Sequence, residues 1–255
     1  MKAVQYFVFA FILTQTNLAL EPLQATKPYD SYVLATEWAG SVCTVKRCQY
    51  NTGSTTFWNM HGLWPNSDNG RHPFSCASTS VDIQKLPQNV QSDLNKYWAG
   101  LFASQSGFIA HEWSKHGTCW DPYYGDLSKM PSILTQIVTA GRKNYDLNDL
   151  TVQPVDYLNL VMNLGKVYSL YDAFKEFNIL PSDARGYQKS EIQAAIAQKF
   201  NGVTKYNLIC QKDRKTGRSL IYEIRLCLNK SFNVVDCSRS GNSCARTVYY
   251  PVNRQ

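Results

Sequence analysis

The chain has little charge, few histidines and no long apolar run. Charged residues fill 18% of its 255 positions, and only four residues are histidine. A membrane-spanning helix needs about 20 consecutive, mostly apolar residues, yet the run Tyr6–Leu13 (YFVFAFIL) ends at Thr14 and no second candidate follows. No CxxC pair occurs among the cysteines, the closest two being Cys43 and Cys48, which disfavours a thiolate zinc site. Internal repeats, low-complexity tracts and a linker long enough to divide domains are absent as well. What is present is core-forming material: 44% apolar and 13% aromatic residues, which excludes a disordered chain, a collagen-like repeat and a coiled coil. A single domain of this length buries roughly 70–75% of its surface and needs no metal to hold it together. The 26 Lys and Arg against 19 Asp and Glu, a formal +7, draw the protein toward anionic partners without naming one.

Lys2 is the only charge before Glu21, and polar residues and Ala19 follow the apolar run. This is the pattern of a signal peptide over residues 1–20, cleaved near Ala19 or Leu20 and leaving one domain over 21–255. Cysteine usage agrees. Eight cysteines behind a leader imply four disulfides formed in an oxidising compartment, although sequence alone permits 105 connectivities. One glycosylation sequon, Asn229-Lys230-Ser231, falls at an expected turn.

Tyr32–Trp38 reads as a strand entering a loop, Thr55–Met60 as a short extended segment, and 66–80 as a loop. Leu86, Val90, Leu94, Trp98 and Leu101 recur at helical spacing and predict a helix over 87–101. Further helices are expected at 132–138, 166–177 and 190–200, the last with capping-box spacing at Ser190 and Gln193. Strands are expected at 206–210, 220–228 and 232–237, the second with alternating Leu220, Tyr222, Ile224 and Leu226. Irregular mixing of helices and strands predicts a single α+β domain, a central antiparallel sheet flanked by helices.

Chemistry concentrates in two places. On a helix, His111, Glu112, Lys115 and His116 of HEWSKH lie at about 0, 100, 40 and 140 degrees, which puts all four on one broad face and Trp113 on the other. Two imidazoles, an ammonium and a carboxylate are poor core material. A zinc-protease reading fails on spacing, because HExxH needs histidines four apart and these are five apart. The second place is His61-Gly62-Leu63-Trp64-Pro65, where Gly62 and Pro65 are expected to bracket a turn. Two histidines can donate and abstract protons together while Lys115 and a third histidine hold an anion, and Trp64 offers a face for a stacked base.

HGLWP at 61–65 and HEWSKHGTCW at 111–120, in this order, resemble the two active-site segments of the ribonuclease T2 family of secreted or vacuolar acid ribonucleases. The resemblance extends over roughly residues 30–245. It implies cleavage of single-stranded RNA to 2′,3′-cyclic phosphates and then 3′-phosphate ends, with low base specificity and no cofactor or metal. It gives His61 the role of general acid, His116 that of general base and His111 that of phosphate ligand, with Glu112 and Lys115 steadying the phosphorane. It also implies the disulfides Cys43–Cys48, Cys76–Cys119, Cys210–Cys244 and Cys227–Cys237, a monomer without membrane attachment, and a secreted, lysosomal or vacuolar location. Trp64, Asn66 and Glu37 are the expected base-binding residues. Family members commonly carry Gln-Trp-Pro where this chain has Glu37-Trp38-Ala39, which predicts altered binding of the 3′-side base. His72 is expected at the surface and Trp58 in the core. Two rival classes, an inactive relative serving as a binding or storage protein and an RNA-binding signalling protein, are separated from the enzyme by hydrolysis of dinucleoside phosphates.

Overall fold

The computed structural model describes residues 29–50, 52, 54–68, 71–123, 125–146 and 152–254; the leader expected at 1–20 lies outside them. The elements run β1 (Ser31–Glu37), α1 (Ala39–Val45), β2 (Asn59–Asn66), α2 (Gln88–Tyr97), α3 (Gln105–Lys115), α4 (Ser132–Asn144), α5 (Pro154–Val167) and α6 (Leu170–Glu176). They continue with β3 (Gly186–Gln188), α7 (Lys189–Lys199), β4 (Asn207–Lys212), β5 (Ser219–Leu228), β6 (Val234–Val235), β7 (Gly241–Asn242) and β8 (Thr247–Tyr249). The sheet is ordered β2-β1-β5-β4-β7. Its four long strands are antiparallel, but β7 joins β4 and β8 joins β5 in parallel, so the sheet is mixed.

Two large apolar clusters pack against the sheet. Tyr32, Leu34, Met60 and Leu63 meet Trp98, Trp113, Trp120 and Tyr157 in one. Trp38, Trp58, Ile224 and Leu226 meet Phe174, Ile192 and Ile196 of α6 and α7 in the other. Disulfides join Cys43 to Cys48, Cys76 to Cys119, Cys210 to Cys244 and Cys227 to Cys237. Asn229 stands in the turn after β5, where its Oδ1 accepts the backbone N–H groups of Ser231 (2.9 Å) and Asn233 (3.0 Å).

Several elements differ from the sequence reading, each for a physical reason. The chain after β1 turns into α1 rather than a loop. α2 stops at Tyr97, because Asn59 and Gln105 take over the backbone of 98–100: Ala99 N–H donates to Asn59 Oδ1 (2.8 Å) and Gly100 N–H to Gln105 Oε1 (2.8 Å). The helix expected at 166–177 begins only at Leu170 as α6, where Ser169 Oγ caps it by accepting from Asp172 N–H (3.2 Å), and residues 166–167 are the end of α5. α5 escaped notice because it is buried on most of its circumference, which erases the amphipathic period. α7 is capped by Glu191, whose carboxylate accepts Gln188 N–H at 2.6 Å, and not through Ser190 and Gln193. The 232–237 strand shrinks to Val234–Val235.

Candidate active site

His61 to Pro65 lie inside β2 and form no turn. β2 is an edge strand, which tolerates the missing N–H of Pro65. Its pairing with β1 slips where Ala35 faces Gly62 and Thr36 faces Met60, so His61 is the extra residue of a β-bulge. The slip lets Met60 and Leu63, three apart, both reach the core. His61 and Trp64 are turned together on the other side, their ring centroids 5.0 Å apart. The backbone holds this geometry: Trp98 Nε1–H donates to His61 O (3.0 Å) and Tyr157 Oη–H to Leu63 O (2.6 Å).

The other group comes from α3, which starts at the Ser104 cap and is anchored by buried Ile109 and Trp113. His111 and Lys115 are exposed one turn apart, while Glu112 is buried and its Oε2 accepts Trp64 Nε1–H at 3.0 Å. Gly62 makes room for that bond, because a Cβ there would stand 2.5 Å from Trp64 Nε1 and closer still to Glu112 Oε2. His116 is not on the helical face predicted for it; it is the C-cap, with φ −120° and ψ −45°. The departure from helix brings its ring to 5.3 Å from Trp64. One indole therefore touches both imidazoles.

Those imidazoles sit in opposite environments. Burial depresses the His61 pKa, but the contact of its Nδ1 with Glu223 Oε1 (3.4 Å) and the charges of Glu37, Glu223 and Glu112 overcome this and raise it above 6.5. His116 is pushed down to about 3, first by burial and then by Lys115, His111 and His61. Its Nδ1 is buried without a hydrogen-bond partner among the described residues. Burial also raises Glu112, against the pull of His61 and the Trp64 hydrogen bond. The result is one imidazole biased toward its protonated form beside one biased toward its neutral form, with a carboxylate, an ammonium and a third imidazole alongside. That set suits concerted acid–base work on an anion.

Beside His116 lies a cavity of about 290 Å³ lined by Trp64, Asn66, His72, Arg225 and Arg239 among others. Asn66 Nδ2 donates to Ser31 Oγ (3.0 Å), and exposed His72 receives Ser67 N–H on Nδ1 (3.2 Å). Glu37 is not among the residues that line this cavity. It is buried at the end of β1, Asn59 Nδ2 donates to its Oε1 (3.0 Å), and burial raises its pKa to about 6. The sequence reading missed Glu223 and Arg225. Arg225 Nε donates to Glu223 Oε1 at 2.7 Å and its guanidinium covers the Trp64 ring at 5.0 Å. The signal was there in β5, as two opposite charges two apart in an otherwise apolar strand. Among the described residues, no group of three or more His, Cys, Asp or Glu is placed to hold a metal ion.

The sequence profile of the ribonuclease T2 family matches residues 29–237. The chain is 28% identical over 234 residues to ribonuclease Oy of Magallana gigas, covering 88% of this chain and 97% of that protein. It is 28% identical over 258 residues to extracellular ribonuclease LE of Solanum lycopersicum, covering 98% and 97%. Among solved structures, RNase NT in complex with 5′-AMP superposes with a TM-score of 0.67 at 25% identity, over 89% of this chain and 100% of the other.

Proposed function

The chain belongs to the ribonuclease T2 family and is an endoribonuclease, and from that premise we propose that it cleaves single-stranded RNA with low base specificity through the substrate's own 2′-hydroxyl. His116 takes the 2′-proton, and the freed oxygen attacks phosphorus. His61 gives its proton to the departing 5′-oxygen, leaving a 2′,3′-cyclic phosphate that water then opens to a 3′-phosphate. His111 and Lys115 offer positive charge to the non-bridging oxygens, and Glu112 with Lys115 steadies the phosphorane. Trp64 and Asn66, on the cavity next to His116, receive a base. DNA lacks the internal nucleophile and survives.

The observation that carries this reading is the pair of imidazoles on one indole, one pKa above 6.5 and the other near 3. An acid that keeps its proton and a base that stays free are what transesterification requires, and the protein's own residues supply them without a metal or cofactor. The same reading makes the protein a monomer of the secretory route, delivered outside the cell or to a lysosome or vacuole after loss of residues 1–20. Four disulfides support that route, and no helix among the described residues is long and apolar enough to cross a membrane.

The test is cleavage of the sixteen dinucleoside phosphates with product analysis, by the native protein and by His61→Ala and His116→Ala. Each variant should lose about 10²–10⁴-fold in turnover while keeping its circular dichroism spectrum. Retention of a tenth of the activity in either folded variant, or products that never include a cyclic phosphate, rejects the mechanism.

A further inference from the structure

Glu223 is a buried carboxylate that the proposed chemistry leaves without a task. It lies in β5, an interior strand, between Glu37 on β1 and Ile209 on β4. Its Oε1 accepts Arg225 Nε–H at 2.7 Å, which offsets part of the cost of burying a carboxylate. The same oxygen also faces His61 Nδ1 at 3.4 Å. The contacts continue, because Arg225 covers Trp64, which touches His61 and bonds Glu112. Four side chains from β2 and β5, His61, Glu223, Arg225 and Trp64, thus close into a ring, to which Glu112 of α3 is tied through Trp64.

We propose that Glu223, held by Arg225, is the positioning residue for His61: it keeps a proton on Nδ1, turns Nε2 toward the leaving oxygen and stabilises the imidazolium. This rests on the reading of His61 as general acid. A histidine's tautomer is set by the hydrogen bond its other nitrogen makes. With Nδ1–H directed at Glu223, only the Nε2 proton is free to go. It passes to the 5′-oxygen as the P–O5′ bond breaks, the lone pair stays on Nε2, and the Nδ1 proton stays between His61 and Glu223.

The charges that face His61 are Glu37 from β1, Glu223 from β5 with Arg225 against it, and Glu112 and His116 from the end of α3. Lys46 acts on Glu37, and His111 and Lys115 act on Glu112 and His116. Carboxylates thus predominate near His61, and its pKa rises despite burial. Glu37 is itself ionised only above about pH 6, so it helps to keep His61 protonated where an imidazole would otherwise lose its charge.

The experiment combines kcat and KM on a dinucleoside phosphate from pH 4 to 9 with nitrogen-15 NMR titration of His61, in the native protein, Glu223→Gln, Glu223→Asp and Glu37→Gln. In Glu223→Gln the His61 midpoint and the alkaline limb of kcat/KM should fall together by about one unit. At pH 7, kcat should fall about tenfold while KM changes less than twofold. Glu223→Asp, which keeps the charge, should recover part of the shift. Glu37→Gln should move the same limb by less than Glu223→Gln does. A merely structural role would lower activity equally at every pH. Unchanged midpoint and limb in folded Glu223→Gln overturn the proposal. Should that variant not fold, the native protein still decides: neutral His61 carrying its proton on Nε2 overturns it. Full activity in His61→Ala would reject the acid assignment instead, and the NMR titration would still report whether Glu223 and His61 interact.

Discussion

Replacing Gly62 by alanine adds one methyl group where two working side chains already meet. The new Cβ would lie 2.5 Å from Trp64 Nε1 and closer to Glu112 Oε2, atoms that bond each other at 3.0 Å. Relief through the backbone is opposed by the pairing of Gly62 with Ala35 and by the Tyr157 bond to Leu63 O. Either the Trp64–Glu112 bond opens, at about 1.5–3 kcal/mol for a hydrogen bond to a charged group, or β2 shifts, at about 1–3 kcal/mol for overpacking. We expect a loss of about 2–3 kcal/mol, which is roughly 5–10 °C in Tm for a domain of this size. Trp64 also touches His61 and His116, so a displacement of about 1 Å should lower kcat about 100-fold. Calorimetry and dinucleotide kinetics on Gly62→Ala measure both. Combining it with Glu112→Ala, which removes one of the two colliding groups, should cost less stability than the two single changes added together. A Gly62→Ala protein that melts within about 2 °C of the native one and keeps half its kcat would refute the reasoning.

Other expectations follow from the charges. Folding raises the Glu37 pKa from 4.5 to about 6, so the fold favours its neutral form; that preference is fully present below pH 4.5 and lost as pH rises through 6. At pH 8 the buried anion costs about 2 kcal/mol, and Glu37→Gln should melt about 4–8 °C higher than the native protein, with the gap closing below pH 4.5. The native profile of kcat/KM should hold through the acidic range, because His116 stays neutral down to about pH 3, and should fall where His61 deprotonates, above 6.5. A rate still rising at pH 9 contradicts that pair. Dialysis against EDTA should leave activity unchanged, since the proposed mechanism takes its base, acid and cation from His116, His61 and Lys115; loss restored by Zn²⁺ or Mg²⁺ tells against the mechanism.

The candidate site was legible where its chemistry is local in the chain. His111, Glu112, Lys115 and His116 occupy six consecutive positions, and His61 and Trp64 are three apart. Charges crowded at such spacing resist any core explanation. Glu223 and Arg225 were hidden because they alternate with apolar residues as any half-exposed strand would, and only the strand order brings them beneath His61. The surroundings of Glu37 were hidden for a related reason. Its neighbours in sequence point to a loop, but pairing with Asn59 and Glu223 puts its carboxylate inside. Strict alternation also failed in β5: Ile221 and Ile224 share one core while Tyr222 turns toward α1, since Ile209 pairs with Glu223 and Cys210 with Ile221.

The extra residue in β2 makes chain length, and not only composition, a condition of activity. Without the slip, the strand would run in step from Met60 to Leu63, and the single outward-facing position between those two core residues would fall to the glycine, which has no side chain. Substituting His61 removes the proposed acid from its place, whereas deleting one residue here abolishes the place. Insertions and deletions at 59–63 should therefore be far more damaging than in the neighbouring loop at 71–82, where no ladder keeps count.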